Sequence, residues 1–563
     1  MTKKQPGNKD HLVFVPLGGS GEIGMNLNLY GYGPPGKERW IIVDVGVTFG
    51  GDINSPGIEL IMADHKFIAD RRDQLEAIVL THAHEDHVGA LAHQWPDLRA
   101  PVYATPFTMA IAREKLGEKG LVNEVDLREI PLSGRLKAGP FDIEYISITH
   151  SILEPNALAI RTPLGTIMHT GDWKLDPTPV LGEATDVKRF KEVGAAGVLA
   201  MVCDSTNAIS PGRAGSENDI LPNLSAEIAK CRGRAVVTTF ASNAARLKTI
   251  FTAAQENDRH VVLAGRSMDR ILRFARQTGY LGDLPDPVDM KHAGHLPRDK
   301  MLILCTGSQG EARAALSRIA SNKHSDLTLN EGDTVIFSSK VIPGNEKSIF
   351  RIYSLLAAKG VNIVTGQEGV IHVSGHPYQD ELKDMYGWIR PEIAIPVHGE
   401  MRHMMEHAKL ADKLQVPISV VPHNGIMIEL APKKGAVIGE VHAGRLYMDG
   451  TVLTDAATGP ADERRRMGFA GIVTVTIVLD HDNKLVGQPV VQSQGVPQFE
   501  KKFKKGFDVV MGRAAGKAVS HMSGKDRRSD EKVMEVARLA VRQAARKEWN
   551  KKPVAKAAVV RLK

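Results

Sequence analysis

Segment 81–89, here called the metal loop, reads Thr-His-Ala-His-Glu-Asp-His-Val-Gly, with three histidines and two carboxylates in six positions. It directly follows an apolar, largely β-branched run that predicts a buried strand. Imidazole and carboxylate suit zinc or manganese, and no cysteine lies nearby to indicate a structural zinc finger. Such a loop can direct His82 and His84 to one ion while Asp86 and His87 reach a second. A polar solvated turn is the alternative, but this pattern behind a strand predicts a metal site.

Later apolar runs end in residues that could join the same site. Three successive runs end near a histidine or an acid, and two further runs bring histidines beside glycine. Loops held by a rigid sheet are where α/β enzymes place their functional side chains. Several such endings in succession favour function over chance. The residues concerned are His150, Asp172, Asp204, His372, His376 and His398.

Segment 19–24 matches the dinucleotide fingerprint G-x-G-x-x-G, and Asp44 lies where a ribose-binding acid would be expected. The fingerprint requires a helix to follow. Segment 25–30 instead alternates with period two, which predicts a strand, and segment 40–44 predicts another. We therefore reject dinucleotide binding and expect Asp44 to orient a ligand histidine from behind.

The elements that must position these residues change in character along the chain. Segments 11–17 and 75–80 predict strands, and segment 59–73 predicts a helix. From about residue 216, strands and helices alternate regularly, which predicts a separate doubly wound unit with a parallel sheet. Two of its strand-to-helix turns, 240–243 and 306–310, offer backbone N–H groups of the kind that favour phosphate.

The composition is that of a globular protein. Of the 563 residues, 42% are hydrophobic and 24% charged, and the three cysteines are widely spaced, which argues against a disulfide framework. The chain begins with a polar stretch, and no run approaches the roughly 18 apolar residues of a membrane span. We expect a cytoplasmic protein with no membrane partner.

The net charge of +7 is unevenly distributed. Residues 501–563 contain 19 basic and 6 acidic side chains, a net charge of +13, whereas residues 1–500 carry a net charge of −6. Such a tail can hold a polyanion, and a solvated helix face or a subunit contact is an equal alternative.

Taken together, these positions resemble the motifs of a known family. Four of them resemble the motifs of the metallo-β-lactamase fold: Asp44, the metal loop, His150 and Asp172. Its nucleic-acid-processing β-CASP branch is resembled by three more: Asp204, segment 372–376 and His398. Asp172 and His398 are 226 residues apart, which leaves room for an inserted domain. The ribonuclease J family in particular is resembled by segments 18–24, 240–243 and 396–400, and the likeness covers essentially the whole chain.

The resemblance implies an α/β architecture: a metallo-β-lactamase αββα sandwich with an inserted doubly wound β-CASP domain and a small α+β C-terminal domain. The expected boundaries are 1–216 and 371–453 for the two parts of the sandwich, 217–370 for the β-CASP domain, 454–468 for a linker and 469–563 for the C-terminal domain. One departure from the family is segment 151–157, which replaces a shorter polar turn and puts that loop's contact with substrate in question.

The resemblance also implies a ligand set. Two zinc ions per chain are expected, and manganese suits the same ligands. One ion is assigned to His82, His84 and His150, and the other to Asp86, His87 and His398, with Asp172 bridging them. Asp449 aligns with a position that holds a structural divalent cation in relatives.

The implied reaction is metal-dependent phosphodiester hydrolysis of RNA. Water activated between the ions attacks phosphorus in line and leaves a 5′-phosphate on the downstream product. Asp86 and Asp172 are assigned to catalysis, and His372, with Asp204, to protonating the leaving 3′-oxygen. The pocket for the RNA 5′ end is assigned to Phe240, Ser242, His372, Val373, Ser374, Gly375 and His376.

We therefore expect a cytoplasmic 5′→3′ exoribonuclease with endonuclease activity, which acts on single-stranded RNA and prefers 5′-monophosphate ends. It would act in mRNA decay and rRNA maturation as a homodimer or homotetramer. Another hydrolase of the same fold and a catalytically silent RNA-binding relative are the alternatives.

Overall fold

The computed structural model describes residues 10–50, 54–342, 344–366, 369–497 and 506–562. The chain forms two compact units, one of Met1–Thr48 with Met62–Gly444 and the other of Phe49–Ile61 with Arg445–Lys563. Within the described ranges, every helix is too short or too polar to cross a bilayer.

Two large sheets pack face to face in the first unit. Apolar side chains from both sheets, among them Phe14, Tyr30, Ile143 and Leu158, form one buried cluster between them. The first sheet has the strand order Ala436–Glu440, Ile426–Ala431, His11–Gly18, Leu27–Gly33, Arg39–Val43, Leu75–Val79, Val102–Ala104, Leu127–Glu129. The second has the order Arg135–Ala138, Phe141–Ser147, Asn156–Thr162, Gly165–His169, Ala200–Asp204, Ile393–Val397, Ile418–Ser419.

Helices cover the outer faces of both sheets and complete the αββα sandwich, which confirms the expected fold class. The helices are Lys66–Ala69, Glu85–Val88, Leu91–Leu98, Pro106–Glu118, Val187–Ala196, Gln379–Ile389 and Met401–Lys413, with a 3-10 turn at Arg72–Gln74. A two-residue strand pair joins Ser20–Gly21 to Gly399–Glu400.

The inserted β-CASP domain has a five-stranded parallel sheet with helices on both faces. Val236 and Val237 point into different apolar clusters, which shows that both faces of the sheet are buried. The strand order is His260–Ala264, Met301–Cys305, Ala235–Thr238, Thr334–Phe337, Asn362–Val364. The helices are Ile220–Ala229, Ala244–Glu256, Arg266–Gln277, Met290–Ala293, Ala315–Ala320 and Glu346–Ala357, with 3-10 turns at Glu217–Asp219 and Arg298–Lys300.

The second unit has its own core. The strand Ile472–Leu479 lies between Val490–Gln494 and Val554–Arg561, and helices Phe507–Ser520 and Asp530–Trp549 cover one face of this sheet. Strands Arg445–Asp449 and Val452–Asp455 form a hairpin. Ser529 caps the helix Asp530–Trp549 by accepting a hydrogen bond from the Lys532 N–H.

Two predictions of local structure are wrong. Segment 59–73 forms the strand Leu60–Ala63 and only one short helix, because its apolar residues pack as a strand before the first helical turn. Segment 454–468 is not a structureless linker, since the helix Pro460–Ala470 fills most of it. Proline favours the first turn of a helix, and Asp462 pairs with Arg465 and Arg466 along the helix face. The other domain boundaries stay predictions.

The two chain segments that join the sandwich to the β-CASP domain are fastened by a buried ion pair. Arg246, fully buried, donates from Nη2 to Glu217 Oε1 at 2.9 Å and from Nε to Glu217 Oε2 at 3.0 Å. Its Nη1 donates to Ser338 Oγ at 2.7 Å and to the Ile371 carbonyl at 3.4 Å. One guanidinium therefore holds the outgoing segment, the returning segment and a β-CASP strand end together.

Replacing this guanidinium should destabilise the first unit. Arg246→Met leaves the Glu217 carboxylate buried without its partner, and we expect a loss of about 3–5 kcal/mol in the free energy of unfolding. Chemical denaturation measures it, with Arg232→Met, at an exposed position nearby, as the control. Equal denaturation midpoints for the two variants would show that the ion pair does not hold these segments.

Candidate metal centre

Three histidine rings from two loops converge beyond the ends of the sandwich strands. His82 and His84 follow the strand Leu75–Val79, and His150 follows Phe141–Ser147. His82 Nε2 lies 3.1 Å from His84 Nδ1, which in turn lies 3.0 Å from His150 Nε2. His82 and His150 are buried, and His84 is half-buried. With Asp172 they form a group whose ligand atoms all lie within 4.8 Å of one another.

The hydrogen bonds of these rings leave lone pairs facing one another. Thr81 Oγ1 donates its only hydrogen to Asp44, so it must accept the hydrogen of His82 Nδ1. Because the proton of the neutral ring is on Nδ1, His82 Nε2 carries none. His150 Nδ1 donates to the Gly375 carbonyl at 2.5 Å, which likewise leaves Nε2 bare. Both bare nitrogens face His84 Nδ1, whose single hydrogen can satisfy only one of them, so at least one pair of lone pairs at about 3 Å repels unless a cation lies between them. The residues present therefore fit a divalent metal ion.

A second group shares Asp172 with the first. It consists of Asp86, His87, Asp172 and His398, again with ligand atoms within 4.8 Å. Asp172 Oδ2 lies 3.1 Å from His87 Nε2 and 3.3 Å from His398 Nε2, and it lies 3.9 Å from both His82 Nε2 and His150 Nε2. His398 Nε2 is buried without a hydrogen-bond partner. This orphaned nitrogen and the shared carboxylate suit a second cation.

Residues behind the ligands fix the orientation of their rings. Asp44 accepts from His87 Nδ1 at 2.7 Å and from the Thr81 N–H at 2.8 Å, which confirms its predicted role. Asn26 accepts from His398 Nδ1 at 3.0 Å and donates to the Asp86 carbonyl at 3.0 Å. Asn26 was not predicted, because a polar residue just before a strand, here Leu27–Gly33, looks in sequence like any other buried amide.

Burial and the carboxylates set the charge of the cluster. Burial lowers the pKa of His84 to about 4 and holds the pKa values of His82 and His150 well below their usual range, so these rings are neutral donors. Burial would also lower the pKa of His87, but Asp172 and Asp86 raise it well above its usual value. Burial would raise the pKa of Asp172, but His398 and His87 hold it well below the usual range, so the carboxylate is ionised.

Residues 371–376, here called the return loop, bring the second histidine of the predicted pair to the site. His376 Nδ1 donates to Asp204 Oδ2 at 2.8 Å and lies 4.0 Å from Asp172 Oδ2. Burial would lower the pKa of His376, but Asp204 raises it to about 9. His372 instead lies 3.5 Å from Arg246, where burial, together with the Arg246 charge, lowers its pKa to about 3. The expected pairing of His372 with Asp204 is therefore wrong, and His376 is the partner.

The remaining return-loop residues support the site from behind. Ser374 Oγ accepts from Asn207 and from the His376 N–H, and Val373 is buried. A Cβ on Gly375 would lie 2.6 Å from Ser151 Oγ, so only glycine lets the loop reach His150. Phe240 and Ser242 lie in the turn before the helix that carries Arg246. Their role in a 5′-end pocket stays a prediction.

The expected structural cation at Asp449 is not supported. Asp449 Oδ2 accepts from Arg464 Nη2 at 2.6 Å, so a guanidinium already provides the positive charge beside this carboxylate. Within the described ranges, Asp449 is part of no group of three or more metal-ligating side chains. The resemblance to the family did not reveal this ion pair, because Arg464 lies 15 residues after Asp449. It belongs to the helix Pro460–Ala470, in the segment that was predicted as a linker.

Four family models match consecutive parts of the chain. Their descriptions are a beta-lactamase superfamily domain over residues 39–190, a ribonuclease J beta-CASP domain over 232–356, a Zn-dependent metallo-hydrolase RNA specificity domain over 360–422 and a ribonuclease J C-terminal domain over 461–562. A solved protein of unknown function from Enterococcus faecalis, 19% identical, covers 74% of this chain and 100% of its own with a TM-score of 0.51, a likeness of fold alone.

The similar proteins agree over nearly the full length. Ribonuclease J of Sinorhizobium meliloti is 44% identical over 97% of this chain and 96% of its own length. Ribonuclease J of Thermus thermophilus is 36% identical over 85% of this chain and 84% of its own length. Fold and site together define a metal-dependent hydrolase of the metallo-β-lactamase superfamily with a β-CASP insertion. The chain belongs to the ribonuclease J family, as the sequence motifs indicated.

Removing the carboxylate behind His87 should weaken metal binding. Asp44→Asn replaces the acceptor of the His87 Nδ1 proton with a group that holds the ring less firmly, and we expect zinc affinity to fall about 10–100-fold. Competition with a chromophoric chelator measures it. Asp70→Asn, at an exposed carboxylate paired with Lys66, is the control and should bind zinc like the parent. Unchanged affinity in Asp44→Asn would contradict the assignment.

Proposed function

We propose that the protein is a metal-dependent 5′→3′ exoribonuclease that also cleaves RNA internally and prefers 5′-monophosphate ends. The observation that carries the proposal is the convergence of seven side chains into two groups that share Asp172. Membership of the ribonuclease J family supplies the substrate class. The proposed roles are mRNA decay and rRNA maturation by a homodimer or homotetramer.

The two groups divide the metal ligands. His82, His84 and His150 would hold one cation, and Asp86, His87 and His398 the other, with Asp172 contacting both. Zinc is our assignment, and manganese suits the same donors. Such a pair of cations supplies a water of lowered pKa and neutralises charge that develops on the phosphodiester.

The protein's own contribution is to orient these ligands and to handle the proton of the leaving group. Asp44, Asn26 and the Gly375 carbonyl fix the rings of His87, His398 and His150. We assign protonation of the leaving 3′-oxygen to His376, because it is hydrogen-bonded to Asp204 and borders both metal groups. His372 is therefore not assigned to proton donation. We keep it in the 5′-end pocket, together with Phe240, Ser242 and Ser374.

The 5′-end preference follows from the product of the reaction. Each cleavage leaves a 5′-phosphate on the downstream RNA, so a pocket for that group at a fixed distance from the metals makes the enzyme advance by one nucleotide. A triphosphate is bulkier and would crowd the pocket, and a hydroxyl would leave it empty.

The activity is tested on one RNA prepared with a 5′-hydroxyl, monophosphate or triphosphate, with products resolved by length. We expect mononucleotides from the monophosphate form at the highest rate and no cleavage by His84→Ala, which loses a ligand. His481→Ala, with a largely exposed ring in the second unit, is the matched control. Cleavage by His84→Ala at the parental rate would refute the metal assignment, and equal rates on all three ends would refute the pocket.

The proton donor is tested with a substrate that does not need one. His376→Ala should lower kcat about 10²–10⁴-fold with little change in KM. An RNA whose leaving 3′-oxygen is replaced by sulfur should restore most of the rate, because a thiolate leaves without a proton. His372→Ala should show no such rescue. If sulfur rescues His372→Ala and not His376→Ala, the assignment of the two histidines is reversed.

A further inference from the structure

The metal loop contains one charged side chain that the ligand set does not use. Glu85 stands between the ligands His84 and Asp86 and points away from the metal groups toward the helix Pro106–Glu118. Lys115 Nζ on that helix donates to Glu85 Oε1 at 2.8 Å and to Oε2 at 2.6 Å. The Lys115 side chain is only 12% exposed, so this is a partly desolvated pair rather than a loose surface contact.

The β-CASP domain reaches the same carboxylate. Arg270, on the helix Arg266–Gln277, places Nη2 3.6 Å from Glu85 Oε1 and Nε 3.4 Å from Glu114 Oε2. One guanidinium thus lies between the carboxylate of the metal loop and a carboxylate of the sandwich helix behind it. Its neighbour Arg273 pairs with Glu114 at 2.7 Å.

Glu85 is placed so that its contact with Arg270 can affect the neighbouring metal ligands. Glu85 opens the short helix Glu85–Val88, so its backbone is continuous with both Asp86 and His87. A displacement of the Glu85 side chain is therefore transmitted to two ligands of the second metal group. Misplacement of catalytic groups by about 1 Å can cost as much as 10²-fold in rate.

We propose that Arg270 is a positioning residue, which acts together with Lys115 through Glu85 to hold Asp86 and His87 in place when the β-CASP domain is seated on the sandwich. The inference rests on the proposed function for the identity of the metal ligands. It adds that the inserted domain, besides any contact with RNA, completes the second metal group. Zinc would then be held less firmly whenever this contact is lost.

The test compares two arginines on one helix. Arg270→Met keeps most of the apolar stem but removes the charge that faces Glu85, and we expect kcat to fall about tenfold with KM within twofold of the parent. Zinc affinity is measured by chelator competition, with zinc alone and without RNA. It should fall for only one of the two zinc ions, the one assigned to the second metal group. Arg273→Met removes a charge that pairs with Glu114 alone, and it should leave both quantities within twofold.

Two further variants separate positioning from a general loss of packing. Arg270→Lys restores the positive charge and should recover part of kcat and of the second zinc affinity. Glu85→Gln weakens the pairing with both Lys115 and Arg270, so it should be at least as poor as Arg270→Met. The double variant should be no worse than Glu85→Gln, because the linkage through Arg270 is already broken.

The proposal is overturned if Arg270→Met and Arg273→Met behave alike, or if the losses from Arg270→Met and Glu85→Gln multiply in the double variant. Failure of the wild-type protein to cleave RNA would instead count against the proposed function. The zinc measurement still tests the linkage in that case, because it involves no RNA.

Discussion

The buried carboxylate of Asp172 is the constraint on which the rest of the site depends. One of its oxygens lies 3.1–3.9 Å from the ring nitrogens of four histidines, which come from three different segments of the chain. Two of these rings, His82 and His150, direct a bare nitrogen at the same atom, His84 Nδ1, an arrangement that is unfavourable without a cation. The protein tolerates it because the rings are held from behind by Asp44, Asn26 and a backbone carbonyl. The fold thus holds the ligands in place before metal binds, and metal ions remove the repulsion between them.

The sheet topology explains how ligands distant in sequence meet. Strands Gly165–His169, Ala200–Asp204 and Ile393–Val397 are parallel neighbours in register, so Met168 lies beside Met201 and Met201 beside Ala394. The carboxyl ends of parallel neighbours share one edge, which brings Asp172, Asp204 and His398 together. The β-CASP domain can be inserted between the second and third of these strands without disturbing that edge, because both of its connections are fastened by Arg246.

Much of the site could be predicted because its chemistry is concentrated in short motifs. The metal loop shows four ligands in six residues, and Asp44 follows from the need to orient a ligand histidine. Asn26 could not be found this way, because its contacts to Asp86 and His398 exist only after sheet and loops close. The choice between His372 and His376 was equally hidden, since two histidines four residues apart on one loop differ only in which buried charges they meet. Segment 454–468 was misread because a charged helix with few buried residues resembles a linker in composition.

The central claim is that these seven side chains bind two cations that share Asp172. Anomalous X-ray diffraction from crystals of the wild-type protein grown with zinc, measured on both sides of the zinc absorption edge, tests it most directly. We expect two zinc peaks in the cluster, one contacted by His82, His84 and His150 and the other by Asp86, His87 and His398, with Asp172 contacting both. A single peak, or zinc bound at sites that exclude Asp172, would contradict it.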